Sequence, residues 1–371
     1  MSYKVKVVYD SQVFDVQTYG GISRYFCEIM QKLHVPHEVA LKYSHNYYLN
    51  HYRLCAAPSR FLPGFMRRKL WEKSQEENRR RCLAKLDGSE EFVFHPTYYD
   101  PYFLEHLCGR PYVVTVHDMI YERFPDLPDA DAVIEQKRKT ICGASHVIAI
   151  SEYTKKDVME LLHVPEEKIS VVYHGTNLKP NARIGTKIDF PYLLYVGDRS
   201  AGYKNWHRML QAFAQLHREN ACLHLICTGK PFSNDDKTLI NSLLHTSAVD
   251  DFVHAVSASE NVLSDLYGQA LAFVYPSLYE GFGIPILEAY ACGCPVVLSR
   301  ATCFPEIARE AGCYFNPMDV DDMVRSIRQV IYNPSERKRL IATGTERLQY
   351  FSWEKAARET EEVYRKVSIT E

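Results

Sequence analysis

At 371 residues, with 46% hydrophobic and 24% charged side chains, the chain exceeds one ordinary core and has the composition of a globular protein of two domains. A formal net charge of −2 gives it no overall attraction for nucleic acid or any other polyanion. Eleven cysteines, an odd number scattered without a CxxC pair, argue against a disulfide framework, and Cys292 with Cys294 offers zinc too few ligands; buried thiols in a reducing compartment fit better.

The opening "MSYKVKVVYD" is charged and then strand-like, and no apolar run approaches about 18 residues. The expectation is a cytoplasmic chain with neither signal peptide nor membrane span. Strand patterns follow in "VKVVYD", "EVALKY", "FVFH", "YVVTVH", "HVIAIS" and "ISVVYHG". Amphipathic stretches at 22–33, 130–142 and 152–162 lie between several of them, and Ser151 reads as a helix cap. Residues 60–85 hold nine Lys and Arg against three Glu, with Phe61, Phe65, Met66, Leu70 and Trp71 clustered near Arg67, Arg68 and Lys69. Such interleaving suits either an interfacial helix on an anionic membrane or an ordinary helix packing its apolar end.

Around 176–190 the periodicity lapses into a linker. The rhythm then restarts with "YLLYVGD", helix 205–219, "CLHLICTG", helix 235–245, "FVHAV", helix 260–270, "LAFVYPS", helix 284–292 and "PVVLS". Helices at 319–332 and 335–349 and "SWEKAARETEEVYRKV" complete the chain. Strand–helix alternation predicts parallel sheets covered by helices, and ligands in such folds sit beyond the carboxyl ends of strands.

The chemistry-bearing residues follow those strands. After "YLLYVG", the loop "DRSAGYKNW" combines Gly197 and Gly202 with Arg199 and Lys204. It is either a phosphate cradle or a solvated surface loop. After "LAFVYPS" comes "EGFGIPILE", in which Pro285 places a helix start near Ile284, Glu280 in the loop and Glu288 one turn into the helix. Carboxylates here would accept hydrogen bonds from sugar and ribose hydroxyls, assisted by the amides of residues 281 to 284. A dinucleotide fingerprint would need glycine where Ile286 stands. In the first half, His117 ends a strand and Gly20 and Gly21 precede a helix; both have ordinary structural readings as well as a ligand-facing one.

Together "EGFGIPILEA", "VGDRSAGYKN", "GGISRY", "VHDMIYERFP", "AISEYTKKD", "VVYHG" and "FSWEKAA" resemble glycosyltransferase family four over nearly the whole chain. That resemblance implies an α/β GT-B architecture: an acceptor domain over 1–178 and a donor domain over 190–352, both Rossmann-like and facing across a cleft, with a last helix, 353–371, returning to the first domain. It implies a retaining transfer of a hexose from a GDP- or UDP-linked donor to a glycan or lipid-linked acceptor, with no metal. Arg199 and Lys204 would hold the diphosphate and Glu288 the ribose. Glu280, Gly281 and the amides of Phe282, Gly283 and Ile284 would hold the sugar, beside His117. Gly20 and Gly21 would line the cleft, and Val256 would read the base through its backbone. The general look is of bacterial mannosyl-type transferases of surface polysaccharide assembly. This points to mannose and to the inner face of the cell membrane, with residues 60–85 as the membrane contact. A sugar-nucleotide epimerase and a non-catalytic nucleotide-sugar-binding protein share the same plan and stay open as alternatives.

Overall fold

The computed structural model describes residues 5–55, 64–182, 185, 187–244 and 251–368. It divides into two compact units: the first comprises the chain up to His174 together with the last segment from Ser352, and the second is Gly175–Phe351.

In the first unit, β1 (Val7–Tyr9) lies between β2 (His37–Val39) and β3 (Val93–His95), and β4 (Val113–Val116), β5 (His146–Ala149) and β6 (Ile169–Val171) follow in order. A parallel bridge between Phe94 and Tyr112 joins the two groups of strands. All described pairings are parallel. β1, β3, β4 and β5 are buried along their whole length, as strands covered on both faces must be. The helix Trp353–Ser368 packs against the helix Gly21–Lys32 and against β3 and β5. Tyr364 anchors it, its hydroxyl meeting Tyr9 and the His95 Nδ1 at 2.7 Å each. Helices 130–142 and 152–162 stand at the expected residues, and Ser151 accepts the Thr154 N–H as a cap. The expected strand "EVALKY" shrinks to His37–Val39, at the edge of its sheet.

The second unit is one six-stranded parallel sheet. Its strands are β7 (Tyr192–Val196), β8 (His224–Thr228), β9 (Val253–Val256), β10 (Ala272–Tyr275), β11 (Val296–Ser299) and β12 (Gly312–Phe315). The spatial order is β9-β8-β7-β10-β11-β12. This is the doubly wound order, whose connections change direction between β7 and β10. Leu193, Tyr195, Met209, Phe213, Leu225 and Ile327 belong to one buried core against the helices Trp206–Glu219 and Val320–Ile331. Neither β12 nor the helix Phe304–Ala308 before it stood out in the sequence. The strand is four residues long, opens on glycine and is only alternately buried, so its apolar run is too short to register.

Candidate active site

The site in the second unit begins at the change of direction between β7 and β10. The loop after β7 tightens into a turn at Gly202–Lys204 and reaches Asn205, whose φ of 59° is left-handed, a conformation asparagine tolerates better than most residues. Asn205 is buried, and its Nδ2 donates to the Pro276 carbonyl at 3.0 Å and the Pro317 carbonyl at 2.8 Å. The Leu278 N–H donates to the Tyr203 carbonyl at 2.7 Å. The loops after β7 and β10 are thereby stitched together.

Across this seam Lys204 Nζ donates to Glu280 Oε1 at 2.7 Å, with the two side chains 15% and 11% exposed. The Ser277 hydroxyl donates to the same oxygen at 2.7 Å. A third loop, after β11, supports the backbone: Thr302 Oγ1 accepts the Glu280 N–H at 3.2 Å, and the Cys303 thiol reaches the Glu280 and Phe282 carbonyls, each at 3.2 Å. Burial pushes the Cys303 thiol pKa far above its ordinary value, so this sulfur is an inert clamp rather than a nucleophile.

Gly283 takes φ 90° and starts the helix Ile284–Ala291, with Pro285 in its first turn. A Cβ on Gly283 would lie 3.0 Å from Phe304 and 3.2 Å from Ile286. Phe282 is buried and packs edge-on against Phe351 at 5.8 Å. Glu288 is buried one turn along, with the Tyr267 hydroxyl 3.5 Å from its Oε2. Burial raises the Tyr267 pKa well above normal, and the Glu288 charge adds to the effect.

Arg199 does not join Lys204 on Glu280. Its guanidinium donates to the carbonyls of Thr228 (3.3 Å) and Lys230, and lies 4.8 Å from the Phe232 ring centroid. The loop after β7 carries this arginine to the carboxyl end of β8. Val256 ends β9, and its carbonyl accepts the Gly229 N–H at 2.9 Å, so sheet pairing already engages that backbone oxygen. The acidic run "DVDD" is spent on a helix start, where Asp319 accepts the Asp322 N–H at 3.0 Å.

His117, in the first unit, follows β4 with its ring edge-on to Tyr25 at 5.1 Å and Phe26 at 5.9 Å. Its Nε2 is buried and has no hydrogen-bond partner among the described residues. Burial lowers its pKa to about 4; neighbouring Asp118 opposes the shift and Lys137 adds to it. The imidazole is therefore neutral near pH 7. Gly20 caps the helix Gly21–Lys32, and a Cβ there would collide with the Gln17 side chain, whose Oε1 accepts the Ser23 N–H at 3.2 Å. Gly21 opens onto free space.

Sequence reading passed over Asn205, Ser277, Thr302 and Cys303. Asn205 had a signal, a turn-forming residue directly ahead of a helix. The other three act through a fold that brings the loops after β7, β10 and β11 together.

Comparison with known proteins covers both units. Residues 19–179 match the family model described as Glycosyltransferase Family 4, and residues 181–347 match Glycosyl transferases group 1. The chain is 28% identical over 380 residues to the O-antigen chain mannosyltransferase B of Escherichia coli, covering 93% of this chain and 96% of that one. It is 28% identical over 280 residues to the MMP alpha-(1->4)-mannosyltransferase of Mycolicibacterium hassiacum, covering 70% and 66%. Among solved structures, Anabaena Alr3699/HepE in complex with UDP aligns with TM-score 0.74 at 15% identity, over 98% of this chain and 100% of that one. Sucrose-phosphate synthase from Thermosynechococcus elongatus aligns with TM-score 0.72 at 20% identity, over 99% and 100%. The two family matches run in succession along nearly the whole chain, on two Rossmann-like halves: the protein belongs to the family 4 glycosyltransferases of GT-B fold.

Proposed function

We propose that this glycosyltransferase moves mannose from a nucleoside-diphosphate donor, GDP- or UDP-linked, to a hydroxyl of a glycan or lipid-linked saccharide, with retention of configuration and without a metal. The observation that carries this reading is the Lys204–Glu280 pair, a cation and a carboxylate held 2.7 Å apart where the sheet changes direction. The relatives named as mannosyltransferases support the sugar, and the O-antigen names of two of them support an acceptor in surface polysaccharide assembly.

In this reading the Lys204 ammonium stabilises charge on the departing β-phosphate while Glu280 accepts hydrogen bonds from sugar hydroxyls. Gly281 and the amides of Phe282, Gly283 and Ile284, at a helix N-terminus, add partial positive charge beside it. Glu288 takes the ribose hydroxyls. Arg199 contributes to the diphosphate only by leaving its present carbonyl partners. The bond from C1 to the β-phosphate oxygen breaks, the acceptor oxygen bonds C1 from the same side, and the acceptor's proton passes to the departing phosphate. His117, Gly20 and Gly21 serve the sugar and the acceptor, and the Val256 carbonyl, through the lone pair that the Gly229 N–H leaves open, serves the base.

Incubation with GDP-mannose, UDP-glucose and ADP-glucose tests it, with slow donor hydrolysis expected from one of them. Donor epimerised at C2 would assign an epimerase instead, and donor bound but unchanged would assign a binding protein. Thermal shift with GDP, UDP and ADP identifies the base, since saturation at 100 times Kd adds about 2.7 kcal/mol.

A further inference from the structure

Next to the Gly20–Gly21 turn, in the first unit, two segments present aromatic rings to solvent. Tyr19 is 61% exposed and Tyr47 49% exposed, high values for rings of this size. Tyr19 stacks on Tyr48 with centroids 5.0 Å apart and lies 5.7 Å from Tyr47, which stacks on the His51 ring at 5.6 Å and 13°. The His51 ring in turn meets Tyr52 edge-on at 4.9 Å.

The rings are held in place by the backbone beneath them. The Tyr47 N–H donates to the Thr18 carbonyl at 2.8 Å, and Asn46 Nδ2 donates to the Gln17 carbonyl at 2.7 Å. Asn46 is fully buried, and its Oδ1 also accepts the N–H groups of Tyr48 and Leu49 at 3.0 and 3.1 Å. Tyr52 is tied by its hydroxyl to Glu28 at 2.6 Å. A buried polar scaffold thus holds Tyr19 and Tyr47 open to solvent in a fixed geometry, where a hydrophobic collapse would have covered them.

We propose that the Tyr19–Tyr47–His51 surface is a binding platform for a pyranose oligosaccharide, the chain of sugars behind the acceptor hydroxyl. The aromatic face is electron-rich and the axial C–H face of a pyranose is slightly positive, so the two stack, while phenol and imidazole edges bond the hydroxyls at the rim. The platform is continuous in the chain with the Gly20–Gly21 turn, proposed above to serve the acceptor. It rests on the transferase reading for its biological meaning, though not for its test.

Ligand-observed NMR with mannose, glucose and N-acetylglucosamine oligomers, from disaccharide to pentasaccharide, measures binding without turnover. At least one series binds the wild type more tightly as it lengthens. Tyr19→Ala and Tyr47→Ala each weaken that binding roughly three- to tenfold, Tyr19→Phe retains most of it, and donor hydrolysis by all three is unchanged. Absence of oligosaccharide binding, or equal binding by the alanine variants, overturns the proposal, as does ring-dependent pelleting with phosphatidylglycerol vesicles in place of sugar binding. Loss of the platform with donor hydrolysis intact leaves the transferase reading standing. A wild type that hydrolyses no donor sinks that reading alone.

Discussion

Lys204 and Glu280 share one hydrogen bond while the mechanism asks different things of each. Lys204→Ala removes the cation facing the departing phosphate, and kcat should fall by roughly 10²–10³. It also leaves a largely buried carboxylate with the Ser277 hydroxyl but no cation, so denaturant titration should show a loss of about 3 kcal/mol. A variant with kcat intact and only KM raised would mean that Lys204 binds ground and transition states alike. Glu288→Ala should weaken free nucleoside diphosphate by about 1.5–3 kcal/mol in calorimetry, because the ribose loses a charged acceptor. Glu280→Ala should leave that affinity unchanged and reduce turnover. Equal losses of free-nucleotide affinity in both variants would refute this division of roles.

Between strand and helix, the 280–284 loop depends on one left-handed glycine and one thiol. Gly283→Ala introduces a Cβ at φ 90° against the Phe304 ring, and should cost about 1–2 kcal/mol of stability while raising donor KM. A variant with unchanged melting and KM would show that the loop relaxes freely. The helix Gly64–Leu86 raises a different question. Ser74, Asn78 and Cys82 are buried, and Asn78 bonds Asp15 and the Tyr43 carbonyl at 3.0 and 3.1 Å, so this face is docked. Arg79 pairs with Asp100, Arg80 and Arg81 with Glu77, and Lys85 with Glu38 and Glu90. Phe61 and the side chains of Phe65, Arg67 and Arg68 lie outside the described residues. Met66 and Lys69 are exposed. We propose that this end touches an anionic bilayer. Salt-sensitive pelleting with phosphatidylglycerol vesicles is expected, and it should be lost when Arg67, Arg68, Lys69 and Arg79 to Arg81 become Gln. A wild type left in the supernatant at low salt would make the whole helix a packing element.

Across the molecule, acid sensitivity concentrates in the first unit. Burial lowers the pKa of His95 to about 3 and of His117 and His146 to about 4, and drives that of His174 well below normal. An unfolded histidine titrates near 6.5, so between that pH and about 4 the unfolded chain takes up protons that the folded chain refuses. The stability from these groups is complete above pH 6.5 and is lost as pH falls through that window. Asp15, raised to about 6 by burial, and Asp10 and Glu359, also raised by burial, act in the opposite direction but are fewer. Melting temperature should therefore drop between pH 7 and pH 5. A flat or rising profile would show that the carboxyl groups dominate.

The alternation of β-branched runs with amphipathic helices was enough to specify two parallel α/β halves, because burial on both faces forces that pattern on a strand and period 3.6 on its covering helices. The helix start near Ile284 and the cap at Ser151 were legible too, and the start after the glycine pair was legible to within one residue of Gly21, since glycine, proline and serine act through their immediate neighbours. The candidate residues Lys204, Glu280 and Glu288 could be named from their motifs. Their partners could not. The Lys204–Glu280 pair, the Asn205 stitch and the Cys303 clamp span 76, 71 and 23 residues, and exist only because the sheet sets β7, β10 and β11 side by side. Arg199 illustrates the same limit: motif position put it beside Lys204, while the carbonyls at the end of β8 decide where its guanidinium rests. Local propensity depends on residues within a turn of one another; side-chain pairing depends on which strands the whole fold makes neighbours.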